Sequence, residues 1–171
     1  MGGRGSSSRG GGAGKAAQAN GGVAKFTDDV MTRWITEPGF ATDVRSGKHP
    51  DVEKGMEEYI ASQPSVSGTL YRGIELTNDM DMSKFQVGSV VDMNGISSWS
   101  TYRDVAMDYS MFTGDSTTGV VFKTNGTRKG AKLGLSGEGE VIISKSAKWK
   151  VTGVQDDGDS TYTVTLMAVT P

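Results

Sequence analysis

The sequence predicts an α+β fold in which N-terminal helices precede a run of strands, and three observations lead there. Two amphipathic stretches at helical spacing lie between Phe26 and Gln63. After Pro64 the apolar residues regroup into short, β-branched and aromatic runs separated by turns such as Asn94-Gly95 and Asn125-Gly126. No regular alternation of strand and helix follows, which argues against a doubly wound sheet, and no Gly-x-Gly-x-x-Gly follows a predicted strand.

The chain divides by composition into a tail, residues 1–22, and a single domain, residues 23–171. The tail holds nine of the 25 glycines together with Arg4, Arg9 and Lys15 and no acidic residue. Such a segment buries too little apolar surface to offset its ordering entropy, so a flexible tether is expected. Its three cations are few for an RNA-binding arm. Its Gly-Gly-Arg-Gly-Ser-Ser-Ser opening is similar to those of some phage-encoded proteins.

From Phe26 the composition turns globular. Thr27 with Asp28 and Asp29 reads as a helix cap and acidic first turn, and Val30, Met31, Trp34 and Ile35 supply the apolar stripe. Pro38-Gly39 ends that helix, and residues 40–45 allow another short turn. Residues 50–63 read as a longer helix with Val52, Met56, Tyr59 and Ile60 inward, and His49 as a loop residue before Pro50. Trp34 and Met56 are expected in the core. Strands are expected over 68–76, 87–91, 96–101 and 120–124, with a helix opening at Arg103-Asp104. Residues 113–119 and 129–137 read as loops. Residues 149–154 and 162–169 close the domain as a hairpin around Asp156-Asp157-Gly158-Asp159, whose acids lack the spacing of a calcium loop.

Length and composition exclude several kinds of protein. At 171 residues the chain is long enough to bury a proper core. A net charge of -2 and a pI near 5.4 make no global case for nucleic acid or membrane binding. With no cysteine and one histidine, a thiolate metal site, a disulfide framework, a multi-histidine metal site and a Ser-His pair all lose their ligands, and no metal is expected. No apolar run approaches the ~20 residues of a membrane span, and no secretory signal is evident.

The stretch with most chemical content is Gly137-Glu138-Gly139-Glu140-Val141-Ile142-Ile143. Three consecutive β-branched residues imply a strand buried on both faces. Alternation along a strand would put Glu138 and Glu140 on one face, with Cα atoms about 6.6 Å apart. Taken alone, this also describes a strand whose exposed end carries solvated glutamates. Upstream, the strand of residues 68–76 places Arg72 between Leu70 and Ile74, a partly buried arginine that calls for an anion or a carboxylate such as Glu140. Between them runs Ser97-Ser98-Trp99-Ser100-Thr101-Tyr102, with a helix behind it.

An arginine on a strand, a Ser-Thr strand backed by a helix, and Glu-x-Glu on a later strand, in that order, resemble the arginine-serine-glutamate class of mono-ADP-ribosyltransferases over residues 26–170. The resemblance implies two packed, mainly antiparallel sheets with NAD in the cleft between them. It implies that Arg72 holds the NAD pyrophosphate, that Gly73 matches the residue holding the nicotinamide amide, and that a serine aims the catalytic glutamate. Two registers fit: Ser98-Trp99-Ser100 keeps both serines and Ser100-Thr101-Tyr102 keeps the threonine, so Ser98, Ser100 and Thr101 all stand as candidates. Phe112 is the nearest match to an aromatic over the cofactor. Breaking the nicotinamide–ribose bond develops positive charge on the sugar, a role for Glu140, while Glu138 is placed to activate the acceptor. A glutamate at the outer position generally accompanies arginine as acceptor in the family, so an arginine-bearing protein target is expected, with an RNA acceptor still open. Two other readings remain: an NAD glycohydrolase with water as acceptor, and a non-catalytic virion module. The expected place of action is a host cytoplasm or a virion.

Overall fold

The computed structural model describes residues 28–76, 82–110, 118–134 and 139–169. The tail 1–22, Thr27, Phe112 and Glu138 lie outside the described residues. The fold is α+β. Helices α1 (Asp28–Thr36), α2 (Phe40–Arg45) and α3 (Pro50–Ser62) come first. They are followed by β1 (Leu70–Leu76), a 3-10 turn (Met82–Phe85), β2 (Val90–Asp92), β3 (Ser97–Ser100) and helix α4 (Arg103–Ser110). Strands β4 (Thr118–Thr124), β5 (Gly130–Lys132), β6 (Glu140–Ile143), β7 (Lys148–Gly158) and β8 (Thr161–Val169) complete the order. The chain forms two compact units, one made of the segments up to Val66, Asn94–Ser98 and Lys129–Lys145, the other of Ser67–Met93, Trp99–Arg128 and the chain from Ser146 onward.

The first unit is a helical core laid on a two-stranded ribbon. Helix α1 forms because Met31, Trp34 and Ile35 share a stripe that is buried along its length. It gives way to α2 at Gly39, whose φ of 83° is left-handed and suits a residue without Cβ. Helix α3 starts on Pro50, where a missing N–H costs nothing, with Asp51 and Glu53 in its first turn. His49 precedes it as expected, its ring 5.3 Å from that of Phe40. Trp34, Ile35, Phe40, Val44, Met56, Ile60, Ile96, Leu133 and Ile142 make one core, each fully buried large side chain contributing about 1.5–3 kcal/mol. Val141–Ile143 are buried as their β-branched run predicts. Their partner β5 runs antiparallel with Ala131 opposite Ile142. It falls inside the expected loop 129–137, because Gly130-Ala131-Lys132 has no strand-forming residue and is extended by the ladder that β6 offers. The far end of β6 is tied to α3, where Glu57 accepts from Ser144 Oγ at 2.5 Å and from the Lys145 amide at 2.9 Å.

The second unit is a mixed sheet in the order β2-β7-β8-β4-β1, with β1 also pairing β3 at Tyr71 and Ser100. Strands β4 and β8 run parallel and the other pairs antiparallel. Trp99 and Trp149 pack with ring centroids 5.0 Å apart, and Phe85 meets Phe122 edge-on at 5.3 Å. The β7–β8 hairpin turns at Asp159 and Ser160, both at positive φ (53° and 60°), the signature of a twist-compatible two-residue turn. The acidic run is solvent-exposed as expected, although Asp156–Gly158 belong to β7 rather than to the turn. There Asp157 accepts from Thr163 Oγ1 at 2.5 Å and lies 3.8 Å from Arg103 Nη2.

Helix α4 rests on this sheet through two glycines. A Cβ at Gly73 would overlap the Ala106 carbonyl oxygen and stand 2.9 Å from the Ser110 amide, and one at Gly119 would stand 2.6 Å from the Ser110 carbonyl oxygen. The space that the missing side chain of Gly73 leaves is taken by α4. A clash with helix backbone cannot be relieved by a rotamer change, so Gly73→Ala is expected to destabilise the protein by about 3 kcal/mol or more, the upper end of overpacking costs. A thermal melt showing an unchanged midpoint would contradict this seating.

Candidate active site

Glu140 opens β6 and is 1 % exposed. Gly139 before it has a φ of 57°, which is left-handed rather than extended. The strand thus begins at Glu140, and the alternation that would align position 138 with it does not run back through Gly139. The Glu140 carbonyl accepts the Leu133 amide at 2.8 Å, fixing the backbone. The side chain is fixed from helix α1: the Trp34 indole N–H donates to Glu140 Oε2 and to Ser98 Oγ, each at 3.0 Å. Trp34 and Ser98 are both fully buried. The other carboxylate oxygen, Oε1, is buried and has no hydrogen-bond partner among the described residues. A buried acceptor left unmade is costly, and such an oxygen suits a ligand hydroxyl or a positive charge that forms during a reaction.

A cation stands on the same indole. The Arg45 guanidinium at the end of α2 lies 5.5 Å from the Trp34 ring centroid, and its Nη1 is 3.5 Å from the Ile96 carbonyl oxygen. Burial pushes its pKa below the usual arginine value, and the charge of Glu140 acts in the opposite direction. Gly95 makes room for it, since a Cβ there would come within 3.0 Å of Arg45 Cγ.

Of the serines, Ser98 shares the tryptophan with Glu140, whereas the Ser100 hydroxyl accepts the Tyr102 amide at 2.9 Å in the turn before α4. Trp99 between them is fully buried and packs on Trp149. Thr101 is exposed. In the second unit Arg72 sits on β1 opposite Phe122 of β4, half-buried, with Gly73 beneath α4. Ser98 and Glu140 are thus brought together, Phe112 and Glu138 being outside the described residues. Sequence reasoning places Trp34 in the core, where it is, but misses its hydrogen bonds and misses Arg45 altogether. A buried indole does announce that its N–H needs a partner, but the partner stands 106 residues away.

No protein-family model matches the chain, and no curated protein matches its sequence. Solved structures do match in fold. Vis toxin, an ADP-ribosyltransferase from Vibrio splendidus, superposes with a TM-score of 0.63 at 19 % identity over 93 % of this chain and 73 % of that one. The same enzyme in complex with agmatine gives 0.64 at 19 %, over 97 % and 78 %. Exoenzyme S from Pseudomonas aeruginosa, bound to carba-NAD and in complex with human 14-3-3 protein beta, gives 0.61 at 16 %, over 91 % and 80 %. An ADP-ribosyltransferase from Clostridium botulinum gives 0.55 at 14 %, over 94 % of this chain and 96 % of that one. The chain has the ADP-ribosyltransferase fold.

Proposed function

We propose that this protein is an NAD-dependent mono-ADP-ribosyltransferase of the arginine-serine-glutamate class, with arginine of a protein target as acceptor. The observation that carries the reading is Glu140: a fully buried carboxylate at the head of an apolar strand, one oxygen held by Trp34 beside Ser98 and the other without a partner among the described residues. Under this reading NAD is a substrate. The bond between ribose C1′ and the nicotinamide nitrogen breaks, nicotinamide leaves neutral, and positive charge grows on the sugar. Glu140 opposes that charge and can accept the ribose 2′-hydroxyl. A new bond forms from C1′ to a guanidinium nitrogen of the acceptor, which gives up one proton. Glu138 is assigned as the group that takes it, Arg72 as the partner of the pyrophosphate, and Ser98 as the serine beside Glu140. Agmatine, bound by Vis, carries the same guanidinium as arginine, which favours that acceptor. The chemistry requires NAD, so we place the action in a host cytoplasm, and it uses no metal.

The deciding experiment is incubation with NAD labelled in the adenylate, with agmatine or a cell lysate as acceptor, followed by separate assay of free nicotinamide and labelled product. Transfer to agmatine or protein supports the proposal. Nicotinamide release with label only on free ADP-ribose would make the protein a glycohydrolase, and no release at all would refute an NAD-cleaving role.

Glu140→Gln keeps the shape and removes the charge. It should slow both transfer and hydrolysis by about 10²–10³, and nicotinamide release at the wild-type rate would remove Glu140 from the mechanism. Glu138→Gln should lose agmatine modification yet keep slow hydrolysis, because water needs less activation than a guanidinium, whose pKa exceeds about 12. Equal loss of hydrolysis in both variants would refute this division. Arg72→Lys should weaken NAD binding measured by calorimetry, since lysine lacks the planar donor fork. Unchanged affinity in the folded variant would leave Arg72 a structural role alone.

A further inference from the structure

We infer that Trp34 is a positioning residue: its indole N–H, shared between Ser98 Oγ and Glu140 Oε2, orients the Glu140 carboxylate so that Oε1 is the oxygen presented to substrate. The inference rests on Glu140 acting as proposed, and assigns to a core tryptophan and its stacked Arg45 a part in that action.

A carboxylate on a glutamate has a broad terminal torsion and two equivalent oxygens, so burial alone does not decide which oxygen faces a ligand. Ser98 cannot decide it alone, because a hydroxyl rotates and either donates or accepts. An indole N–H only donates. Its two bonds, each 3.0 Å, make acceptors of both Ser98 Oγ and Glu140 Oε2, which sets the polarity of the group. The ring cannot swing away, since Trp34 is fully buried among Ile35, Phe40, Val44, Met56 and Ile142. A donor held by close packing is already oriented before substrate arrives. The Arg45 cation over the ring, 5.5 Å from its centroid, draws electron density from the indole, and its charge is felt by that of Glu140. Filling a core position would explain the burial of Trp34, but any large apolar residue does that. The shared donor is what an apolar residue would lack.

The test is Trp34→Phe, which retains an aromatic ring and deletes the donor. We expect a folded protein whose kcat for nicotinamide release falls about ten- to a hundredfold, the range of a lost hydrogen bond to a charged group, with KM for NAD within about twofold. A merely structural tryptophan would move stability and leave kcat per folded molecule alone. Arg45→Met should lower kcat less, again with KM retained. An activity-independent measurement covers a variant that fails to fold: in protein labelled with 15N-tryptophan, Glu140→Gln should shift one indole N–H resonance of the three tryptophans, the one lost in Trp34→Phe where that variant folds. Wild-type kcat in folded Trp34→Phe, or no indole shift in Glu140→Gln, would overturn the inference. In the first case a dead Glu140→Gln would leave the proposed function standing. Wild-type release by Glu140→Gln would instead sink the proposed function, and this inference with it.

Discussion

A charged carboxylate taken out of water costs several kcal/mol unless the fold supplies partners, and the arrangement of the first unit follows from meeting that cost at Glu140. Among the described residues the carboxylate's hydrogen-bond donor is one N–H on α1, held by the apolar stripe that also builds the core. Its electrostatic support is Arg45 on α2, and its neighbour Ser98 arrives on β3. The strand that carries it is extended by β5 and moored at its far end to α3 through Glu57, Ser144 and Lys145. The elements of the unit thus supply the glutamate, its hydrogen-bond donor, the charged and polar side chains Arg45 and Ser98, or the backbone beneath them. The compensation is incomplete, because Oε1 is left over. In a structural ion pair that would be a defect, and in an active site it is the useful part.

The second unit rests on a different constraint, close approach. Two glycines on adjacent strands let α4 sit against the sheet backbone, and Arg103 at its start reaches Thr163 on β8. This leaves β1 clamped between α4, β3 and β4, so Arg72 projects from a strand with little freedom to move. Packing has its own cost here, for the Trp149 indole nitrogen is buried without a hydrogen-bond acceptor among the described residues. Its tilted packing on Trp99 offsets part of that cost.

The likeness to Vis and exoenzyme S at 16–19 % identity is what such constraints lead one to expect. A fold tolerates most substitutions that keep the apolar pattern and the total core volume. The patterns that survive are periodicities and a few obligatory residues, and these are also the features that a lone sequence displays. A pairwise comparison of residue identities averages them away, which is consistent with agreement in fold alongside the lack of any sequence match.

The sequence by itself determined the α+β class, the helical stripe of α1, the buried β-branched strand led by Glu140, and the terminal hairpin, because each is encoded in local spacing and turn residues. Through their order along the chain it also singled out Arg72, Ser98, Ser100, Glu138 and Glu140 as candidates. Other features were settled only by tertiary structure. Strand β5 has no propensity of its own and exists because β6 lies beside it. Gly73 proved to be a seat for a helix. Alternation puts Ser98 and Ser100 on one face, yet the Trp34 indole donates to Ser98 while the Ser100 hydroxyl accepts the Tyr102 amide. The partnership of Trp34 with Glu140 joins residues 106 positions apart, and hydrogen bonds between such distant positions leave no periodicity for a sequence to show.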